Sequence, residues 1–159
     1  MSPEGLPYRA CAGFMLVNAE GLVFVGQRID PSAQGFWQMP QGGIDKGEDV
    51  QAAALRELHE EIGVAEHLVE IIAQGAQPFL YDLPPELLGK VWKGKYRGQE
   101  QYWFLGRFLG RDADIDLEAH DPPEFNEWKW VAPADLPALI VPFKRDVYEA
   151  LVAEFGPMI

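Results

Sequence analysis

The sequence predicts an α/β fold in which helices cover a mixed β-sheet, formed as one domain over residues 1–159. Apolar and aromatic stretches of strand length dominate the chain, which indicates a sheet. Two longer segments, one central and one near the C-terminus, have helical character. A chain of 159 residues is also long enough to bury a core without disulfides or structural metals.

The N-terminal part is predicted to form two strands. Residues 8–18 are apolar and suit a buried strand, and residues 22–29 are a second candidate. The turn signal Ala19-Glu20-Gly21 between them favours a hairpin. Residues 30–45 carry three glycines and two prolines, so we expect a loop there with a short strand near residues 37–39.

The central helix is predicted over residues 48–62, which contain strong helix formers and neither glycine nor proline. Gly63 stands where a C-cap glycine ends a helix. A second helix is predicted over residues 143–155, preceded by a short one near 134–139. The apolar residues of the 143–155 helix repeat every four positions and form one stripe: Phe143, Val147, Leu151 and Phe155.

The remaining segments are predicted as further strands and loops. Strand candidates are residues 69–73, 101–109 and 127–131, and loops are expected at 78–95 and 111–123.

The charge balance restricts the function. Thirteen Lys and Arg against 25 Asp and Glu give a net charge of −12. Such a chain is a poor non-specific binder of nucleic acid or of anionic membranes, so no membrane partner is expected. A polyanionic substrate stays compatible with this charge if metal ions and a local basic patch mediate the contact.

The cysteine content and the pattern of apolar segments both bear on the cellular compartment. Cys11 is the only cysteine, which excludes an intrachain disulfide and a cysteine zinc cluster and fits a reducing compartment. No apolar run approaches the ~20 residues of a transmembrane helix, and no basic region precedes the first apolar stretch. We therefore expect a cytoplasmic protein.

Carboxylates cluster on the central helix. Glu57, Glu60 and Glu61 fall within about 100° of helix surface, beside an apolar face that can pack on a sheet. Adjacent glutamates alone are more typical of a solvated helix face, and like charges at this spacing repel. Binding of Mg²⁺ would explain why three acidic side chains converge, because its preferred ligands are carboxylate oxygens, water and substrate phosphates.

The spacing across residues 42–64 resembles the Nudix box at every fixed and every hydrophobic position. The matching residues are Gly42, Glu48, Arg56, Glu57, Leu58, Glu60, Glu61, Gly63 and Val64. Segments outside the box resemble one subgroup of the family, the bacterial RNA pyrophosphohydrolases and dinucleoside polyphosphate hydrolases. They are residues 37–43, 81–84, 123–130 and 141–148.

The resemblance implies an α/β/α sandwich with a mixed sheet and a Mg²⁺ cofactor, with Mn²⁺ as a possible substitute. It implies that Glu57, Glu60 and Glu61 hold the metal and that the Gly42 carbonyl adds a ligand. Glu124 matches a subgroup glutamate that binds metal or acts as general base, so Glu60 and Glu124 both stay candidates for the base.

Within the box, the resemblance implies that Arg56 pairs with Glu48 and braces the loop against the helix. Gly63 has a structural role at the helix end.

No histidine pair has metal-ligand spacing, and no serine or cysteine lies in a nucleophile motif. This agrees with hydrolysis by water that a metal activates.

The substrate side of the site is also implied by the subgroup. Arg9, Arg28 and Lys144 match positions that face substrate, and the Tyr81 hydroxyl can donate to a phosphate oxygen. Val141 and Phe143 match a pocket that stacks a base, with the Arg9 guanidinium as a possible second wall. Each has a plainer interpretation as well: core packing for Phe143, a surface cation for Arg28 and turn packing for Tyr81.

A basic cluster stands out in this acidic chain. Lys90, Lys93, Lys95 and Arg97 alternate with aromatic residues, and four of the 13 basic residues thus lie within eight positions. The cluster can guide an RNA 5′ end or a long polyphosphate. An ordinary solvated hairpin is the competing interpretation.

The predicted function is Mg²⁺-dependent hydrolysis of a 5′ polyphosphate chain. The expected substrate is the 5′-triphosphate or diphosphate end of RNA, a dinucleoside polyphosphate such as diadenosine tetraphosphate, or both. The alternatives are hydrolysis of another nucleoside diphosphate derivative, such as ADP-ribose or a nucleoside triphosphate, and a non-catalytic nucleotide-binding module. The retained box carboxylates argue against the binding module, and no obligate protein partner is evident.

Overall fold

The computed structural model describes residues 5–30 and 35–159. Its seven strands are β1 (Tyr8–Val17), β2 (Val23–Arg28), β3 (Gln41–Gly43), β4 (Val69–Gln74), β5 (Phe79–Asp82), β6 (Gly98–Phe108) and β7 (Phe125–Val131). The α-helices of the described part are α1 (Val50–Ile62), the short α2 (Leu136–Leu139) and α3 (Arg145–Phe155). None of the helices in these ranges has both the length and the apolar character needed to cross a membrane.

The strands form one mixed sheet in the order β4-β6-β1-β2-β7. β1 and β6 run parallel at the centre, and every other pairing is antiparallel. β3 pairs with the middle of β1, and β5 pairs with the N-terminal end of β6. The two short strands therefore extend the sheet on either side of its central pair.

Alternating side chains of the central strands fill two cores. Phe14 and Leu16 of β1 pack on the α1 side of the sheet, whereas Met15 and Val17 pack on the side of α2 and α3. Leu58 and Ile62 of α1 are fully buried in the first core. Helices thus cover both faces of a mixed sheet, which confirms the predicted α/β/α sandwich.

Local signals set both ends of α1. The Asp49 side chain accepts a hydrogen bond from the Ala52 amide at 3.1 Å, so the helix begins at Val50, two residues after the predicted start. Gly63 adopts φ 72° at the C-cap, and its N–H donates to the His59 carbonyl at 2.9 Å. A Cβ atom at Gly63 would lie 2.8 Å from the Asp116 carbonyl oxygen, so glycine is favoured by both backbone conformation and space.

Two short strands and one helix end differ from the sequence prediction. β3 and β5 lie inside segments predicted as loops, and the strand expected near residues 37–39 is a single bridge between Gln38 and Gly26. The predicted C-terminal helix starts late because Pro142 opens a 3₁₀ turn, so Phe143 precedes α3.

Candidate active site

Two of the box carboxylates meet beneath β3. A Cβ atom at Gly42 would overlap the Glu57 carboxylate, so only glycine lets the helix approach this strand. The Glu61 carboxyl group lies beside that of Glu57 and is only 6% exposed. A proton or a cation would relieve the repulsion between two buried carboxylates.

Electrostatics at this pair oppose two free negative charges. Burial, together with the charges of Glu57 and Glu124, raises the pKa of Glu61 well above its usual range. Burial likewise raises the pKa of Glu57. Glu61 Oε2 and Gln41 Oε1 are buried, and neither has a hydrogen-bond partner in the described part of the chain.

These features fit a divalent cation, which would supply the missing positive charge and a partner for the orphaned oxygens. No group of three or more His, Cys, Asp and Glu side chains in residues 5–30 and 35–159 is already arranged as a metal centre. The Glu60 carboxylate accepts a hydrogen bond from Arg56 Nη1 at 3.2 Å. A guanidinium group therefore supplies positive charge to Glu60 here.

Arg56 connects the box loop to α1. Its Nε and Nη2 atoms both contact the Glu48 carboxylate at 2.8 Å, so the predicted pair is present in bidentate form. Nη2 also donates to the Gly43 carbonyl at 2.9 Å, and Nη1 donates to Glu57 at 2.9 Å. The Arg56 contacts lower the pKa of Glu48 to about 2.

Glu124 precedes β7 and lies near the same cluster. Its negative charge contributes to the raised pKa of Glu61, and its Oε1 lies 3.7 Å from Arg28 Nε. The Glu124 side chain is 45% exposed, so it is accessible to a substrate. Its position and that of Glu60 leave both residues as candidates for the general base.

The cations and rings predicted to face substrate gather on the opposite side of β3 from α1. Lys144 Nζ lies 5.5 Å from the Tyr81 ring centroid and 5.8 Å from that of Phe143, and the two rings are 5.7 Å apart. Burial and the charge of Arg28 lower the pKa of Lys144 to about 8. Val141 is half-buried against the same core.

Phe143 shows the core packing that is the plainer of its two interpretations, and it stays a candidate for base stacking. It is half-buried and packs against the core cluster under α3, and it also contacts the Tyr81 ring. A half-buried ring at this position leaves part of its surface available to a ligand.

Arg9 joins this basic cleft to the carboxylates. A Cβ atom at Gly43 would lie 2.5 Å from Arg9 Nη2, so the guanidinium lies directly over β3. Successive glycines of β3 thus face Glu57 and Arg9. The arrangement places carboxylates for a cation next to cations for an anion, which suits a metal-bound polyphosphate.

Gln99 also lies at this cleft, although it was not among the predicted site residues. It pairs in register with Arg9 on one side and Tyr81 on the other. It is 2% exposed, and so is Gln101 on the same face of β6. Two glutamines at period two in a strand of aromatic and apolar residues were the available signal.

The basic cluster lies in the connection that follows β5. Arg97 is held at its base, since its Nε donates to Asp82 Oδ1 at 3.0 Å and its guanidinium covers the Tyr8 ring at 4.9 Å. Lys90, Lys93 and Lys95 are exposed. These three lysines, called the lysine loop below, follow in the chain the strand that carries Tyr81.

Comparison with known proteins gives consistent findings. A family model described as "NUDIX domain" matches residues 7–151. An RNA pyrophosphohydrolase of Erythrobacter litoralis is 64% identical over 156 residues, which cover 98% of this chain and 95% of the relative. An RNA pyrophosphohydrolase of Novosphingobium aromaticivorans is 63% identical over 155 residues, covering 98% of this chain and 96% of that one.

Solved structures show the same fold at low identity. The Ap4A hydrolase of C. elegans, in a binary complex, superposes with a TM-score of 0.67 at 21% identity, covering 94% of this chain and 98% of that chain. The dihydroneopterin triphosphate pyrophosphohydrolase of E. coli gives 0.70 at 19% identity, covering 93% and 99%.

Proposed function

Because the chain belongs to the NUDIX domain family, we propose that it is a Nudix pyrophosphohydrolase acting on the 5′-triphosphate or diphosphate end of RNA. The relatives named RNA pyrophosphohydrolase support this substrate, since they match nearly the whole chain at 63–64% identity. The observation that carries the proposal is the juxtaposition at β3. Glu57 lies under Gly42, and Arg9 lies over Gly43.

The cofactor that the family uses is a divalent metal ion, and we propose Mg²⁺, with Mn²⁺ as a substitute. The proposed ligands are Glu57, Glu60, Glu61, the Gly42 carbonyl and Glu124. A divalent ion, when bound, polarises a phosphoryl oxygen and neutralises charge on the leaving group. The buried, orphaned Oε2 of Glu61 supports this site.

On the substrate side, the chain's own cations position the polyphosphate. Arg9, Arg28 and Lys144 offset the negative charge of the phosphates, and the Tyr81 hydroxyl donates to a phosphate oxygen. Val141 and Phe143 contact the base of the terminal nucleotide.

Hydrolysis needs a carboxylate that takes a proton from the attacking water. Glu124 and Glu60 are the two candidates near the carboxylate pair. The water oxygen forms a bond to one phosphorus, the anhydride P–O bond breaks, and phosphate, pyrophosphate or a nucleotide leaves with the electron pair.

The net charge of −12 favours a second substrate class, the dinucleoside polyphosphates. Such molecules carry the same polyphosphate chain with less total charge than an RNA.

An enzyme of RNA 5′ ends or of free nucleotides meets its substrate in the cytoplasm, and we propose that location.

The proposal is tested with Glu57→Gln, which keeps the side-chain volume and removes the charge. We expect turnover of a 5′-triphosphate RNA in Mg²⁺ to fall at least about 100-fold, as when another electrostatic group of an active site is lost. The Tm should not fall, because Glu57 bears a costly buried charge. Glu66→Gln, an exposed change just after α1, is the matched control.

Near wild-type turnover by Glu57→Gln would contradict its role as a metal ligand. A parallel comparison of kcat/KM for the RNA and for diadenosine tetraphosphate decides the preferred substrate. A much faster turnover of ADP-ribose than of either would overturn the proposed substrate class.

A further inference from the structure

A chain of buried side-chain hydrogen bonds runs along β6 toward the basic cleft. The indole Nε1 of Trp103 donates to Gln101 Oε1 at 2.8 Å, and Gln101 Nε2 donates to Gln99 Oε1 at 2.7 Å. All three side chains are at most 2% exposed. Gln99, Gln101 and Trp103 are called the amide relay below.

The chemistry of tryptophan fixes the direction of the amide relay. An indole N–H can only donate, so the oxygen of the Gln101 amide must face Trp103. The Gln101 amino group then faces Gln99 and must donate to the side-chain oxygen of Gln99. The acceptor of Gln99 is thereby used inside the protein, and its amino group is directed away from Gln101.

Trp103 is itself held in place. It pairs in register with Gly13, where a Cβ atom would lie 2.7 Å from the indole ring, so the ring packs flat on the β1 backbone. The Tyr148 ring contacts it edge-on at 6.1 Å. The donor end of the amide relay is therefore rigid.

The other end of the amide relay lies among groups that favour anions. Gln99 is the middle residue of a row across three strands, with Arg9 on β1 and Tyr81 on β5. Lys144 Nζ lies over the Tyr81 ring. An amide that presented its oxygen to this row would repel a phosphate, whereas one that presents its amino group attracts it.

We propose that Gln99 donates a hydrogen bond from its side-chain amino group to a phosphate oxygen of the substrate, and that Gln101 and Trp103 are positioning residues that hold Gln99 in this orientation. This inference rests on the proposed function only in taking the cleft of Arg9, Tyr81 and Lys144 as the polyphosphate site. It does not depend on the metal.

Gln101→Glu tests the direction of the amide relay. A carboxylate at position 101 still accepts from Trp103 but cannot donate to Gln99, so the Gln99 amide turns its amino group inward and its oxygen to the cleft. We expect KM for the 5′-triphosphate RNA to rise about tenfold, the size of a lost hydrogen bond to a charged group, with a smaller change in kcat.

Gln99→Met supplies the control for the added charge at residue 101. If Gln101 acts through Gln99, the change Gln101→Glu has no further effect on KM in the Gln99→Met background. Equal effects of Gln101→Glu in both backgrounds would overturn the positioning role.

A direct readout uses metal-free protein and inorganic tripolyphosphate as the probe. In ¹⁵N–¹H spectra we expect the Gln99 side-chain amide, identified by its loss in Gln99→Met, to shift during the titration. Shifts at Arg9 and Lys144 without one at the Gln99 amide would overturn this inference and leave the proposed cleft intact. An unchanged spectrum throughout the cleft would overturn both. This measurement holds even if Gln101→Glu fails to fold.

Discussion

Single residues at this site are tuned by burial, and Lys144 shows the effect most clearly. Its ammonium group lies near two aromatic rings, and burial lowers its pKa together with the charge of Arg28. With a pKa of about 8, the group is charged at neutral pH but loses its proton under mildly alkaline conditions. The cation proposed to bind phosphate is therefore lost at a pH where ordinary lysines stay protonated.

We predict that kcat/KM for the polyphosphate substrate falls above pH 8 as Lys144 of the free enzyme deprotonates. Lys144→Arg should remove this alkaline limb, because a guanidinium stays charged throughout the range. The measurement is a pH profile from 7 to about 10 at constant free Mg²⁺, where the upper limit is set by the ordinary lysine pKa. An identical limb in Lys144→Arg would assign the titration to another group.

The same shift has a consequence for stability. Since the folded-state pKa of Lys144 is below that of the unfolded chain, the unfolded state binds more protons above pH 8. The contribution of Lys144 to the free energy of unfolding therefore rises with pH through that range.

At the scale of elements, Arg56 joins α1 to the strand that precedes it. One guanidinium contacts Glu48, Glu57, Glu60 and the Gly43 carbonyl. These bonds connect the box loop to the helix, so the position of β3 over the carboxylates depends on them.

We predict that Arg56→Ala lowers the Tm at pH 7 by roughly 5 °C or more and also lowers turnover. The loss of stability arises because the carboxylates around it are left without their cation. Glu48 has a lowered pKa, so its contribution is present above its unfolded pKa near 4.3 and is lost as pH falls toward about 2. An unchanged Tm in a thermal melt would argue against the bracing role.

Glu48→Gln is the matched variant for this pair, because it keeps the side-chain volume and one of the two acceptors while it removes the charge. We expect its Tm to lie between those of the wild type and Arg56→Ala.

The elements also show what the sequence can predict. β1, α1, β6 and α3 follow from long apolar patterns and, for α1, from a clear C-cap at Gly63. β3 and β5 are three and four residues long and depend on pairing with β1 and β6, so no local pattern indicates them. Gln99 was missed for a related reason: its proposed role depends on pairing with Arg9 and Tyr81, which are distant in sequence.

At the scale of the whole molecule, charge is unevenly distributed. The chain carries −12 overall, yet the lysine loop holds three exposed cations in the segment that follows the strand of Tyr81. An RNA whose 5′ end is bound in the cleft continues beyond it with further nucleotides, each of which carries a phosphate. A dinucleoside polyphosphate ends at its second nucleoside. A local basic surface thus benefits the longer substrate more.

We predict that replacing Lys90, Lys93 and Lys95 by Gln lowers kcat/KM for a 5′-triphosphate RNA and leaves that for diadenosine tetraphosphate unchanged. The salt dependence of the RNA reaction should weaken as well, by about one unit of log–log slope for each phosphate that a lysine no longer neutralises. Both rates are measured in Mg²⁺ across a range of KCl concentrations, with RNAs of increasing length.

The control removes three exposed cations elsewhere, with Arg107, Arg111 and Arg145 replaced by Gln, so that net charge changes equally. If the control slows the RNA reaction as much as the lysine variant does, the effect belongs to the overall field of the protein. If the lysine variant slows both substrates alike, the lysine loop acts on the shared polyphosphate. Only a loss that is confined to RNA and grows with its length shows that the lysine loop contacts the chain beyond its 5′ end.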